Sequence, residues 1–140
     1  MPKSWKIRNQ LELKTVAEHL LEAKPRLIAL TGELGAGKTS LTQEIGKILG
    51  IKKGLTSPTF VLEQIYHLDK SQNYKFLVHV DCYRLKDHRE LPALDLERWI
   101  AQDKTLVIIE WADKIKNWLD KFQPLWVKIE VRDKNRKITI

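Results

Sequence analysis

The sequence is poor in cysteine: Cys82 is the single one among 140 residues. That excludes an internal disulfide and any multi-thiolate zinc or iron–sulfur site, and a reducing compartment fits it. Long apolar runs are missing too. Stretches such as Leu106 to Ile109 fall far short of the roughly 18–20 residues that cross a bilayer. The opening Met1-Pro2-Lys3-Ser4-Trp5-Lys6 has none of the apolar stretch of a signal peptide, so the expected location is cytoplasmic. Six glycines and five prolines are too few for a collagen-like or low-complexity chain. With no repeat and no Pro/Ser-rich linker, the chain reads as one continuous domain over 1–140. Acidic residues are in short supply, 18 against 25 Lys plus Arg, for a net charge of +7. Much of that excess sits in 114–140, where eight basic residues face three acidic ones. Such a bias helps a protein meet nucleic acid or an acidic partner, although lysines dispersed over a solvated surface give the same count.

What is present is a foldable core: 43% hydrophobic residues and five tryptophans, in a chain long enough to hide about two-thirds of its unfolded surface. Asn9 is placed to cap a helix running to Glu22, with Leu13, Val16, Ala17, Leu20 and Leu21 at helical spacing and Pro25 beyond it. Leu27-Ile28-Ala29-Leu30 has strand length and runs into a glycine-rich turn; Leu41, Ile45, Ile48 and Leu49 then mark a helix closed by Gly50. Two β-prone runs, 60–66 and 74–80, suggest a hairpin. Residues 87–102, interrupted by Pro92, predict one or two short helices. The apolar, β-branched run 105–109 reads as a strand buried on both faces. A helix over 112–120 and a last hairpin, 126–131 with 137–140, complete the layout. Helices between strands predict an α/β fold.

The chemistry centres on Gly32-Glu33-Leu34-Gly35-Ala36-Gly37-Lys38-Thr39, which satisfies the phosphate-loop pattern between a predicted strand and a predicted helix. Glycines let successive N–H groups turn inward, and the helix start adds its positive end at the same point. Lys38 is a compact cation for the β- and γ-phosphates. The Thr39 hydroxyl suits a Mg²⁺ ion held mainly by phosphate oxygens and water. The expected ligand is therefore a nucleoside triphosphate, contacted by 32–39 and by Ser40.

Two strands end in acids, Asp81 and Glu110. If both run parallel to the strand feeding the loop, they reach the same carboxyl edge as Thr39. Asp81 has the position of an acid holding Mg²⁺ directly or through water; capping of the following turn is its simpler reading. Glu110 is the candidate to orient or deprotonate an attacking water, or to complete the metal's outer shell. Trp111 can pack or touch the nucleotide. His79 shares a strand face with Asp81 and reads as a structural histidine with no catalytic role. Ser57-Pro58-Thr59-Phe60 can bring hydroxyls near the γ-phosphate or be turn chemistry. Arg84 can meet phosphate, a partner or a surface carboxylate.

Together these segments closely resemble the TsaE family, also called YjeE: the loop in the form Gly-x-Leu-Gly-Ala-Gly-Lys-Thr, Ser57-Pro58-Thr59-Phe60 followed by Tyr66, His79-x-Asp81-x-Tyr83-Arg84-Leu85, and Glu110-Trp111 after an apolar strand. The resemblance spans most of the chain. It implies a P-loop NTPase fold with three α/β/α layers around a mixed central sheet. It also implies an ATPase holding Mg²⁺ through Thr39, Asp81 and Glu110, with Thr59 near the nucleotide. Family members serve the making of threonylcarbamoyladenosine beside the tRNA anticodon. Their partners, TsaD-like and TsaB-like proteins, carry out the transfer, and ATP hydrolysis resets that assembly. tRNA is then reached through the complex. In similar proteins the chain start and the last hairpin approach the base, which points to Asn9, Gln10 and Arg136. The chain departs from the usual pattern at Cys82, at Val61 and in lacking a glycine over 91–99.

Three other readings share the loop. A GTPase needs an Asn-Lys-x-Asp to read guanine, and no such tetrapeptide occurs. A small kinase must also hold a second substrate, usually under an arginine-rich lid for which 140 residues leave little room. A non-hydrolysing switch would use ATP to order 56–60 and 87–93 for docking.

Overall fold

A computed structural model of the chain describes residues 3–51, 63–69, 71, 73–86, 89 and 95–140. The expected strand at Leu27 continues two residues beyond the apolar run, as β2 (Leu27–Gly32), and stops where the glycine-rich loop begins. Ahead of it α1 (Gln10–Glu22) starts as Asn9 foretells: the Glu12 backbone N–H donates to Asn9 Oδ1 at 3.0 Å. Leu13, Val16, Ala17 and Leu20 form its buried face. After the loop, α2 (Lys38–Ile48) buries Leu41, Thr42 and Ile45. It ends at Gly50, whose φ of 98° lets the Ile51 N–H reach back to Gly46 O at 2.9 Å.

The remaining strands are β1 (Ser4–Ile7), β3 (Glu63–His67), β4 (Phe76–Asp81), β5 (Thr105–Glu110), β6 (Leu125–Arg132) and β7 (Asn135–Thr139). They form one seven-stranded sheet in the order β1-β7-β6-β2-β5-β4-β3. The four inner strands, β6, β2, β5 and β4, are mutually parallel, and β7, β1 and β3 are added antiparallel at the flanks. β5 lies inside the sheet between β2 and β4 with all six residues buried, as its unbroken apolar run requires.

Alternation along the strands divides the core in two. Ile28, Leu30, Leu77, Leu106, Ile108, Val127 and Ile129 face α1 and α2. On the reverse face Leu27, Ala29, Val78, Val80, Val107 and Ile109 pack under α3 (Leu96–Ala101) and the helical turns after β5. The architecture is therefore the expected α/β/α sandwich around a mixed sheet. Differences from the sequence reading are local. β1 was not foreseen; four residues of Ser-Trp-Lys-Ile hold as a strand because all four pair with β7. The expected helix over 112–120 is a 3₁₀ turn (Ala112–Ile115), one α turn, α4 (Lys116–Leu119), and another 3₁₀ turn (Asp120–Phe122). In the 87–102 stretch, α3 is the helix found among the described residues. No helix among the described residues is long and apolar enough to cross a membrane.

Candidate nucleotide and metal site

The site is built where β2 gives way to α2. Gly32, Gly35 and Gly37 have φ of 150°, 79° and 112°, backbone that side chains disfavour. Space constrains only the first. A Cβ on Gly32 would lie 2.5 Å from the Ile129 carbonyl oxygen, whereas Gly35 and Gly37 have nothing within 4 Å of a Cβ. The loop is thus pressed against β6 at its base and open where a phosphate would approach. From β7, Arg136 braces the outside of the loop, its Nε donating to Ala36 O at 3.0 Å and its Nη2 to Gly35 O at 3.4 Å.

Lys38 opens α2 and is only 5% exposed. Its Nζ donates to Gly32 O at 2.6 Å and Glu33 O at 2.9 Å and lies 4.0 Å from the centroid of the Trp111 ring. Burial lowers its pKa from the usual 10.5, and the carboxylates of Glu110, Asp113 and Asp81 oppose that shift. The loop therefore holds a partly desolvated cation on its own carbonyls, from which a phosphate can take it over.

The parallel register brings both predicted acids to the same rim: Asp81 is the direct neighbour of Glu110, and Glu110 is level with Leu30 near the end of β2. Glu110 is 2% exposed. Its Oε1 accepts from the Thr39 hydroxyl at 2.8 Å, and its Oε2 lies 2.5 Å from His79 Nε2. Asp81 Oδ1 accepts from the Tyr83 backbone N–H at 2.9 Å, the turn-capping bond of its simpler reading. Trp111, with φ of 58°, sets its ring 4.9 Å from Tyr83. A cavity of about 280 Å³ between these groups is lined by Leu34, Gly35, Gly37, Lys38, Thr39, Ser40, Asp81, Tyr83, Glu110 and Trp111.

Of the expected site residues, Gly32 and Glu33 face this centre through their carbonyls and Ala36 is buried beneath the loop. A second cavity, of about 320 Å³, adjoins the first at Gly35, Gly37 and Ser40, and brings together Asn9, Gln10 and Arg136. Thr59 and the rest of Ser57-Pro58-Thr59-Phe60 lie outside the described residues. Residue reading missed two features. The His79 contact was signalled by its sharing a strand face with Asp81, but it needed the register of β5; the grip of Arg136 on the loop had no local signal.

The donor set of two carboxylates and a hydroxyl is all oxygen, suited to a hard cation such as Mg²⁺. Among the described residues there is no cluster of three or more His, Cys, Asp and Glu able to hold a metal alone. A cation here must draw further oxygens from another molecule, which agrees with a phosphate ligand in the adjoining loop.

The sequence model of the family described as "Threonylcarbamoyl adenosine biosynthesis protein TsaE" matches residues 7–138. The chain belongs to the TsaE family. Among its relatives, the tRNA threonylcarbamoyladenosine biosynthesis protein TsaE of Rickettsia felis is 38% identical over 136 residues, covering 94% of this chain and 75% of that protein. The TsaE protein of Streptomyces coelicolor is 40% identical over 88 residues, 62% of this chain and 57% of that one. The crystal structure of Bacillus subtilis YdiB superposes with a TM-score of 0.70 at 28% identity, covering 99% of this chain and 84% of that one. The phosphate loop, Asp81 and Glu110 all fall inside the TsaE match.

Proposed function

We propose that this chain binds ATP with Mg²⁺ and hydrolyses it in tRNA threonylcarbamoyladenosine biosynthesis, where hydrolysis resets a threonylcarbamoyl-transfer assembly of TsaD-like and TsaB-like proteins. The pathway comes from the names its relatives carry. The observation that carries the chemistry is the meeting of Thr39, Asp81 and Glu110 beside the loop that holds Lys38.

Each of the described residues has a role its surroundings support. Lys38, buried and hydrogen-bonded to two loop carbonyls, exchanges those carbonyls for phosphate oxygens, a charge-assisted bond stronger than the one it gives up. Thr39 donates its hydroxyl proton to Glu110, which leaves the oxygen lone pairs of Thr39 available to a cation. Asp81, with one oxygen engaged by the turn, contributes charge to the same cation, directly or through water. Bound with ATP, Mg²⁺ would draw charge from the β- and γ-phosphates. Glu110, which lines the cavity and meets Thr39 through Oε1, is the acceptor placed to orient the attacking water. Asn9, Gln10 and Arg136 line the adjoining cavity, a place for the base. Thr59 and Trp111 complete the nucleotide contacts of the proposal.

No arginine lines the phosphate cavity among the described residues. Turnover by the chain alone should therefore be slow, with a partner supplying the missing positive charge. Measuring ATP turnover alone and with TsaD-like and TsaB-like proteins and tRNA tests the reading. Stimulation by the partners is expected; hydrolysis indifferent to them would remove the resetting role, and phosphate transfer to an added acceptor would favour a kinase.

A further inference from the structure

His79 enters the site through a contact that the proposed reaction does not use. It lies in the middle of β4, 0% exposed, beside Ile108 of β5 and Gln64 of β3 in the sheet register. Its strand face is the one on which Leu77, Leu106 and Ile108 form apolar core. Two histidine nitrogens here have unequal fates. Nε2 lies 2.5 Å from Glu110 Oε2, while Nδ1 is buried with no hydrogen-bond partner among the described residues. An orphaned buried nitrogen costs stability. A residue present only to fill this face would be apolar, like its neighbours, so the contact that is retained is the one to Glu110.

Glu110 ends β5 with its carboxylate free to rotate about its last torsion unless both oxygens are held. Facing an ionised carboxylate, the His79 nitrogen at this distance is the donor. With Oε2 held by His79, the remaining oxygen, Oε1, is the one that meets Thr39 at 2.8 Å. The geometry points to His79 as a positioning residue: through Nε2–H it fixes the rotation of Glu110, so that Oε1 is presented to Thr39 and to the cation and water beyond it. Partners one shell out commonly orient a ligand or base in this way, and removing them lowers metal affinity or activity about 10–100-fold. This inference rests on the reading of Glu110 given above.

The test compares two amides that differ in reach. In His79→Gln the side-chain nitrogen can occupy the place of Nε2, whereas in His79→Asn it reaches only the place of Nδ1. Each variant is titrated by calorimetry with a non-hydrolysable ATP analogue, with and without Mg²⁺, alongside its kcat and KM for ATP and its thermal melt. His79→Asn should lose about tenfold or more of the affinity gained from Mg²⁺, with a matching rise in KM and a similar fall in kcat, while metal-free affinity stays within about threefold. His79→Gln should restore the Mg²⁺ response. Wild-type behaviour of His79→Asn, equal losses in both variants, or a His79→Asn protein that no longer melts cooperatively would each overturn the positioning role. Glu110→Gln separates the two levels. If it leaves the Mg²⁺ response and turnover intact, the reading of Glu110 fails; if it abolishes them while His79→Asn does not, only the role of His79 fails.

Discussion

At the scale of single residues, the site is a set of buried charges held by few but directed bonds. Lys38 is the clearest case, because its ammonium is desolvated and satisfied by two carbonyls that a phosphate can replace. Lys38→Ala should weaken ATP binding about 10–100-fold, the loss of one or two charged hydrogen bonds, as read by calorimetry; unchanged affinity would mean the loop holds no phosphate. Glu110→Gln keeps the size of the side chain and its place beside Thr39 but removes the basic oxygen. ATP binding without Mg²⁺ should stay within a few-fold, while the Mg²⁺ response is lost and turnover falls about 10²–10⁴-fold in a phosphate-release assay. Normal hydrolysis would reassign Glu110 to packing. The loop, Thr39 and both acids were legible in the sequence because each belongs to a short pattern ending a strand or opening a helix. The partners of His79 and Arg136 were not, because each lies on a different strand or loop: 31 residues separate His79 from Glu110, and 100 separate Arg136 from Ala36.

At the scale of elements, the strand–loop–helix unit depends on one close approach. Gly32 has φ of 150°, and a side chain there would meet the Ile129 carbonyl at 2.5 Å. Gly32→Ala should therefore destabilise the fold by about 1–3 kcal/mol from backbone strain alone, with the clash against β6 added, and lower the urea midpoint of unfolding. An unchanged midpoint would show that β6 yields to it. Elements with a strong local signature came through from the sequence. α1 has its Asn9 cap and apolar stripe, α2 its terminal glycine, and β5 its unbroken β-branched run. Elements that exist by pairing did not: β1 is a strand because β7 lies beside it. The 112–122 stretch breaks into short turns where the sequence suggested one helix. It is entered through a left-handed residue, Trp111, and ends at another, Gln123, with φ of 54°.

At the scale of the whole molecule, the layers bring together groups whose titration links pH to stability. Glu63, on β3, lies opposite Val80, and its Oε2 is buried with no hydrogen-bond partner among the described residues. Burial, helped by the Asp95 carboxylate, raises its pKa from the usual 4.5 to about 7. The folded state thus binds this proton more tightly than the unfolded chain. The stability it contributes is complete below about pH 4.5 and is lost as pH rises through about 7. Glu63→Gln, permanently neutral, should flatten that part of the pH dependence in thermal melts; equal slopes for variant and wild type across the window would refute the assignment.

The sequence by itself determined the phosphate loop, the cap of α1 and the buried character of β5, because backbone preference and apolar periodicity act over a few residues and need no distant partner. The tertiary structure decided which acids meet which hydroxyl. Thr39 and Glu110 stand 71 residues apart and bond because β2 and β5 pair in parallel with Leu30 level with Glu110, and Asp81 joins them because β4 adds to β5 in the matching register. In a parallel sheet a slip of one residue would turn these side chains to the opposite face. The two-layered core that fixes the register therefore also fixes the site.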